Sequence, residues 1–294
     1  MDFSDLKSHA ERVVALGLTN PQERKYWLKM KDGSSFLMRV GKPILYPKYQ
    51  QVYNSLNDLA SLDEKGIPKA YYLTKTVDSA TLVVSYTEGH SLDTVLPKAS
   101  RKEQESLGAA VGELLAAIHS LTPESLGDID SYEVSFKKTI SAYIDLALYL
   151  PGEKETISYI LANMHDVMYG NGQSYVHGSL LPRHIVLKSD GKIGFINFMD
   201  SCIFEPFYDF SSLETECAKD YPAFAKALMD SYFKGNPPAR FFIALAFYSA
   251  LEVLKEAVEL CAKGKSEEAE AKFAKLVSDF SSFADPIPLW YKKG

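Results

Sequence analysis

His177-Gly-Ser-Leu-Leu-Pro-Arg-His-Ile-Val-Leu-Lys188 runs through Ser189-Asp-Gly-Lys192 into Ile193-Gly-Phe-Ile-Asn-Phe198. Two short β-branched and aromatic runs bracket an Asp-Gly step, the composition of a tight hairpin turn. With the turn centred near Asp190, His184 and Asn197 fall roughly opposite one another. Directly opposed residues in an antiparallel pair hold their Cβ atoms about 5 Å apart. The open end of this hairpin therefore presents His184 and Asn197 together.

Helical patterns surround this β island. Ser100-x-x-Glu103 is a capping box ahead of Leu107, Val111, Leu114, Leu115 and Ile118 on one helical face. Gly108 and Gly112, four residues apart, admit a close neighbour. Further helices are expected at Phe136 to Leu150, Glu153 to Met168, Pro222 to Phe233, Arg240 to Lys263 and Ser266 to Phe283. The first 90 residues are β-rich instead. Lys25–Met30 and Ser35–Val40 flank Lys31-Asp-Gly-Ser34, a hairpin signal. Apolar residues at Val52, Leu56, Leu59 and Leu62 predict a helix over Lys48–Lys65, stopped by Gly66-Ile-Pro68. Strands around Ala70–Thr74 and Ala80–Tyr86 then lead into Thr87-Glu-Gly-His90.

The 294 residues carry 32 Lys and Arg against 38 Asp and Glu, a net charge of −6. That balance offers no basic field for a phosphate backbone and argues against nucleic acid as a partner. Cys202, Cys217 and Cys261 share no metal-ligand spacing and cannot all pair, which suits a reducing compartment. The acidic start Met1-Asp-Phe-Ser-Asp5 lacks the basic and apolar regions of a signal peptide, and no run of about 18 apolar residues occurs. A cytoplasmic location with no membrane association is expected.

The order of parts resembles the aminoglycoside/choline phosphotransferase family, which shares the protein-kinase fold. The resemblance rests on a small β-rich region with one helix, the connector Tyr86-Thr-Glu-Gly89, a helix ending Ala117-Ile-His-Ser120, and His177-Gly-Ser179 before a hairpin. Glu205-Pro-Phe-Tyr-Asp209 is similar to the family's Asp-Pro-x-x-Asp/Glu, and Ile287-Pro-Leu-Trp-Tyr291 to an ending common in bacterial members. It implies an α+β, bilobal, kinase-like fold. A small β-rich nucleotide-lobe-like region would span 1–86, a hinge 87–90, and a larger, mostly helical lobe 91–294, with the catalytic-loop-like hairpin at 177–198.

The resemblance also shows what has changed. The family reads His-Gly-Asp, five residues to an Asn, then Ile-Asp-Phe. Ser179 occupies the base position, and His184 and Asn197 occupy the two metal positions. His177 remains as the loop anchor by family analogy, or as an ordinary packed histidine on its own terms. A serine hydroxyl is too weakly basic to replace a carboxylate base, a role worth roughly 10²–10⁴ in rate. An amide and an imidazole are poor exchanges for anionic oxygen around Mg²⁺. Asp200, three residues after Asn197, is an exposed turn carboxylate or a substitute metal ligand.

On the nucleotide side the resemblance assigns Arg39 to the phosphate-binding lysine position and Tyr86 and Glu88 to the cofactor-binding connector. The helix that should give Arg39 its acidic partner reads Tyr49-Gln-Gln-Val-Tyr-Asn-Ser55, without an acid. Val14-Ala-Leu-Gly-Leu-Thr-Asn-Pro21 holds a single glycine where a flexible phosphate loop is expected. Glu205 and Asp209 are expected to cap or tether the following helix.

Two functional expectations follow, one catalytic and one not. The favoured one is a degenerate pseudo-phosphotransferase that binds a small molecule or a protein partner in the inter-lobe cleft, with no cofactor required. Four separate losses are more simply explained by relaxed catalytic demand than by four compensations. The other is an active kinase using ATP or GTP with Mg²⁺ to phosphorylate a hydroxyl of an aminoglycoside, amine alcohol or sugar.

Overall fold

A computed structural model describes residues 8–17 and 21–293. The expectations for the acidic N-terminal stretch, and for the part of the glycine-poor loop at 18–20, lie outside the described residues. The chain's contacts divide it into two compact units. One comprises the chain up to Val95 together with Arg183–Cys202, and the other comprises Leu96–Pro182 together with the chain from Ile203 onward.

The first unit is built on five antiparallel strands: β1 Ala10–Leu16, β2 Glu23–Met30, β3 Ser35–Gly41, β4 Ala70–Lys75 and β5 Ala80–Ser85. Their order in the sheet is β1-β2-β3-β5-β4. Leu28, Met38 and Val83 form a fully buried cluster on one face. Helix α1, Tyr46–Asp58, buries Tyr49, Val52 and Leu56. The single helix expected from Lys48 to Lys65 ends at Asp58, and a 3₁₀ segment, Ala60–Lys65, follows. Leu59 and Leu62 stay buried through that change, so the apolar spacing was met by two segments instead of one.

Gly66, at φ +117°, lets the backbone reach the hairpin of β8 Ile185–Leu187 and β9 Ile193–Phe195. Its carbonyl accepts the Phe195 amide at 2.9 Å, and a Cβ at Gly66 would collide with the Ile193 carbonyl. Strand β6, His90–Ser91, completes a three-stranded sheet in the order β6-β8-β9.

The second unit is helical: α2 Arg101–His119, α3 Ile129–Ile144, α4 Glu153–Gly170, α5 Pro222–Tyr232, α6 Ala239–Ala262 and α7 Ser266–Asp279. The capping box forms as expected, with Ser100 N–H donating to Glu103 at 2.7 Å and the Glu103 amide donating back to Ser100 Oγ at 3.3 Å. Helix α6 is buried on most of its faces, from Phe241 to Ala257, and α3, α4 and α7 pack around it. That arrangement explains its apolar composition all round the helix.

Helix α3 starts seven residues before the expected Phe136 because Asp128 caps it, accepting the Ser131 amide at 3.0 Å. It stops before the expected Leu150, as Ala147 and Tyr149 both adopt left-handed backbone. Helix α7 likewise gives way before Phe283, where Ser281, Ser282 and Phe283 have positive φ. Strands β7 Ser174–Val176 and β10 Cys202–Phe204 pair with each other, and β7 delivers the chain to His177.

Gly108 and Gly112 do admit a close neighbour. A Cβ at either would strike a backbone carbonyl of α5, that of Phe224 or of Leu228 respectively. Gly112→Val should therefore destabilise by about 1–3 kcal/mol through overpacking, read as a lower urea midpoint with an unchanged slope.

Candidate functional site

In the first unit, the period-2 geometry of β2 and β3 places Glu23, Lys25 and Arg39 on one face. Lys25 lies directly opposite Arg39, and Glu23 is its diagonal neighbour. Arg39 is 5% exposed, and its Nη1 donates to both Glu23 oxygens, at 3.1 and 3.0 Å. Tyr49 of α1 donates its hydroxyl to Glu23 Oε1 at 2.7 Å, and Lys25 Nζ lies 3.8 Å from Oε2. Burial, reinforced by the Glu23 carboxylate, pushes the Tyr49 phenol far above its usual pKa. Burial and then the Arg39 charge pull Lys25 below its own.

The sequence left Arg39 without an acidic partner, and the structure supplies one from the neighbouring strand. The helix contributes Tyr49, which orients that acid. The second amino group of the guanidinium is taken as well, since Arg39 Nη2 donates to Asn197 Oδ1 at 2.6 Å.

Asn197 sits between β9 and a 3₁₀ turn, Phe198–Asp200, at φ 64° and ψ 52°. Asparagine tolerates this left-handed conformation better than most residues. With its amide oxygen on Arg39, its Nδ2 faces His184 Nε2 at 3.0 Å. An amide nitrogen can only donate, so Nε2 accepts and the imidazole carries its proton on Nδ1. The backbone register is one residue from the expected opposition: Ile185 pairs with Phe195, and the Ile196 amide bonds the His184 carbonyl at 2.9 Å. His184 and Asn197 still meet through their side chains.

Glu23, Arg39, Asn197 and His184 thus form one continuous chain of hydrogen bonds. A carboxylate at position 197 would keep the contact to Arg39 and lose the donor that His184 Nε2 receives, so the two substitutions belong together. Asp200 lies outside this chain, more than half exposed, with Lys48 of α1 at 3.7 Å. Among the described residues, no three His, Cys, Asp or Glu side chains gather as a metal-binding group.

The loop after β7 belongs to the second unit. Asp209, 3% exposed, accepts the amides of His177 and Gly178, both at 2.7 Å. It also accepts His119 Nε2 at 3.2 Å, and Tyr232 bonds His119 Nδ1 at 2.9 Å. Asp209 therefore tethers the loop bearing Ser179 instead of the helix it was expected to hold. His177 is fully buried, and its Nδ1 accepts the Ser179 amide at 3.3 Å.

Glu205 is fully buried beside Phe207 and Tyr208. Burial pushes its carboxyl up to about 8, although the Phe207 amide, Tyr248 and Asn171 partly counter that shift. In the connector, Glu88 accepts Ser35 Oγ at 2.9 Å and Lys29 Nζ at 3.4 Å, and the Tyr86 ring lies 6.0 Å from that of Trp27.

Residues 18–242 match the model of the phosphotransferase enzyme family. The chain belongs to this family. An aminoglycoside 2'-phosphotransferase of type IIIa, solved in complex with GDP, is 15% identical with a TM-score of 0.67, covering 95% of each chain. The ADP-bound aminoglycoside phosphotransferase APH(2'')-Ib is 14% identical with a TM-score of 0.63, over 93% of this chain and 99% of its own. The macrolide 2'-phosphotransferase of Brachybacterium faecium is 14% identical with a TM-score of 0.59, over 89% of this chain and 91% of its own. No curated protein matches the chain. The fold is the kinase-like fold of these phosphotransferases. No helix among the described residues is long and apolar enough to cross a membrane.

For this phosphotransferase-family chain, the buried pair sets a stability test. Arg39→Met takes the closest charge from the buried Glu23, leaving it Lys25 at 3.8 Å and the Tyr49 hydroxyl, and should cost up to about 3–5 kcal/mol. Adding Glu23→Gln should recover a large part of that loss, so the two changes will be non-additive in denaturant unfolding. Glu205 sets a pH test. Its folded value is raised, so its contribution is present below the ordinary carboxylate range and is lost as pH rises through about 8. Glu205→Gln should flatten stability between pH 5 and 8, removing a slope of up to about 1.4 kcal/mol per pH unit. Chemical denaturation of both proteins across that window checks it.

Proposed function

We propose that this family member does not carry out ordinary Mg²⁺-nucleotide phosphoryl transfer and instead works by binding a small molecule. The observation that supports this reading is the hydrogen-bonded chain from Glu23 through Arg39 and Asn197 to His184. Phosphoryl transfer depends on cations aimed at the phosphates and on oxygen ligands holding the metal. An acid beside this cation is what an active kinase-like site also holds, so the departure lies in the other amino group of Arg39, which donates to Asn197 at a position where the family places a metal ligand. Mg²⁺ prefers anionic oxygen, and the residues at its two family positions are an amide and an imidazole already bonded to each other. The residues present do not fit that ion. At the base position, Ser179 offers a neutral hydroxyl.

The competing reading is an active kinase acting on a hydroxyl of a small molecule, and the likeness of fold to aminoglycoside and macrolide phosphotransferases favours it. It requires Asp200 to leave Lys48 and serve the metal, so Asp200→Ala would abolish turnover. Under the proposed reading the same substitution leaves ligand binding unchanged.

Thermal unfolding with ATP or GTP, with and without Mg²⁺, separates the two. A bound nucleotide at about 100 times its Kd adds roughly 2.7 kcal/mol to the native state and raises the midpoint by several degrees. No Mg²⁺-dependent rise is expected, and a clear one with either nucleotide would overturn the proposal.

A further inference from the structure

A polar cavity lies within the first unit, at the far end of β3 from Arg39. Ser35, on its rim, precedes Arg39 by four residues, about 13 Å along an extended strand. The cavity has a volume of about 470 Å³, enough for a small-molecule ligand. Lys29 and Glu88 form one wall, 3.4 Å apart, and Lys188 and Asp190, 3.9 Å apart, belong to the turn of the β8–β9 hairpin on another.

These four charges cancel, and so do the next ones outward, Lys192 at 3.8 Å from Asp190 and Asp32 beside Lys29. A cation entering the cavity gains Glu88 and Asp190 and meets Lys29 and Lys188, and an anion meets the converse, so net charge on a ligand brings little advantage. Each wall does pair an N–H donor with a carboxylate acceptor, which suits a group that donates and accepts at once, as an alcohol does. Ser189 adds a further hydroxyl.

The cavity is also lined by one aromatic residue. Tyr86 is 37% exposed, and the Trp27 ring lies 6.0 Å away, tilted at 52° to it. An aromatic face beside paired donors and acceptors matches a sugar ring, which has an apolar face and a rim of hydroxyls. We infer that the cavity between the connector and the β8–β9 turn is a binding site for a neutral polyhydroxylated ligand of one or two sugar rings, stacked on Tyr86. This site uses neither Arg39 nor Asn197, but Tyr86 and Glu88 belong to the connector that the resemblance assigns to the nucleotide, so the test includes a nucleoside.

The chain has two tryptophans, so fluorotryptophan labelling gives two ¹⁹F signals, with Trp27 reporting on Tyr86 and Trp290 serving as the internal control. Maltose and trehalose are titrated beside glucosamine as the cation, galacturonate as the anion and adenosine as a nucleoside. At least one of the neutral sugars should move the Trp27 signal alone and bind more tightly than either charged sugar. Tyr86→Ala should weaken that binding about tenfold. Glu88→Gln, a conservative change at an exposed side chain, should also weaken it while the unliganded spectrum stays native. Absence of any response to maltose and trehalose would overturn the inference. So would a response unchanged in both variants, equal binding of a charged sugar, or a Tyr86-dependent response to adenosine in place of the sugars.

Discussion

A guanidinium that is 5% exposed must be compensated where it lies, and the region around Arg39 is organised by that requirement. Glu23 supplies the charge from the adjacent strand, Tyr49 fixes the acid from the helix, and Asn197 takes the remaining amino group. Once the Asn197 oxygen is committed to Arg39, its amide nitrogen must find an acceptor, and His184 Nε2 provides one. Five residues from four segments thereby become one hydrogen-bonded unit. A change at one of them is felt at the others, which is why the substitutions at the two family metal positions read as one event.

The loop of the second unit has a different history. Asp209 still binds the backbone of His177 and Gly178, and His119 and Tyr232 hold Asp209 in turn. The device that shapes the loop is intact while the residue it displays, Ser179, lacks the basicity of a carboxylate. Loop shape is set by backbone amides and one buried acid, and it does not depend on the chemistry of the displayed side chain. A fold can therefore persist after its reacting groups have changed, and function is argued from the site.

Much of the architecture was legible because its causes are local. The Asp-Gly turns at 32–33 and 190–191 and the capping box at Ser100 and Glu103 each act within a few residues, while the paired glycines of α2 carry their signal locally, in their spacing, although the helix they admit is distant in sequence. The start of α3 was missed although its signal, an Asp at position 128, was present in the sequence. The partner of Arg39 was missed for a deeper reason. Glu23 and Arg39 are 16 residues apart, and only the register of β2 against β3 makes them neighbours. The left-handed backbone of Asn197 and the tether from Asp209 to the His177 loop are likewise products of packing, which composition and periodicity do not encode.

The claim that the Arg39–Asn197–His184 chain has replaced a phosphate and metal site is tested most directly by calorimetric titration of the native protein with ATP in excess Mg²⁺, beside the variant carrying His184→Asn and Asn197→Asp. The account predicts no Mg²⁺-dependent heat of binding for the native protein and a measurable one once two oxygen ligands are returned. Mg²⁺-dependent binding of ATP to the native protein that equals or exceeds that of the variant would contradict it.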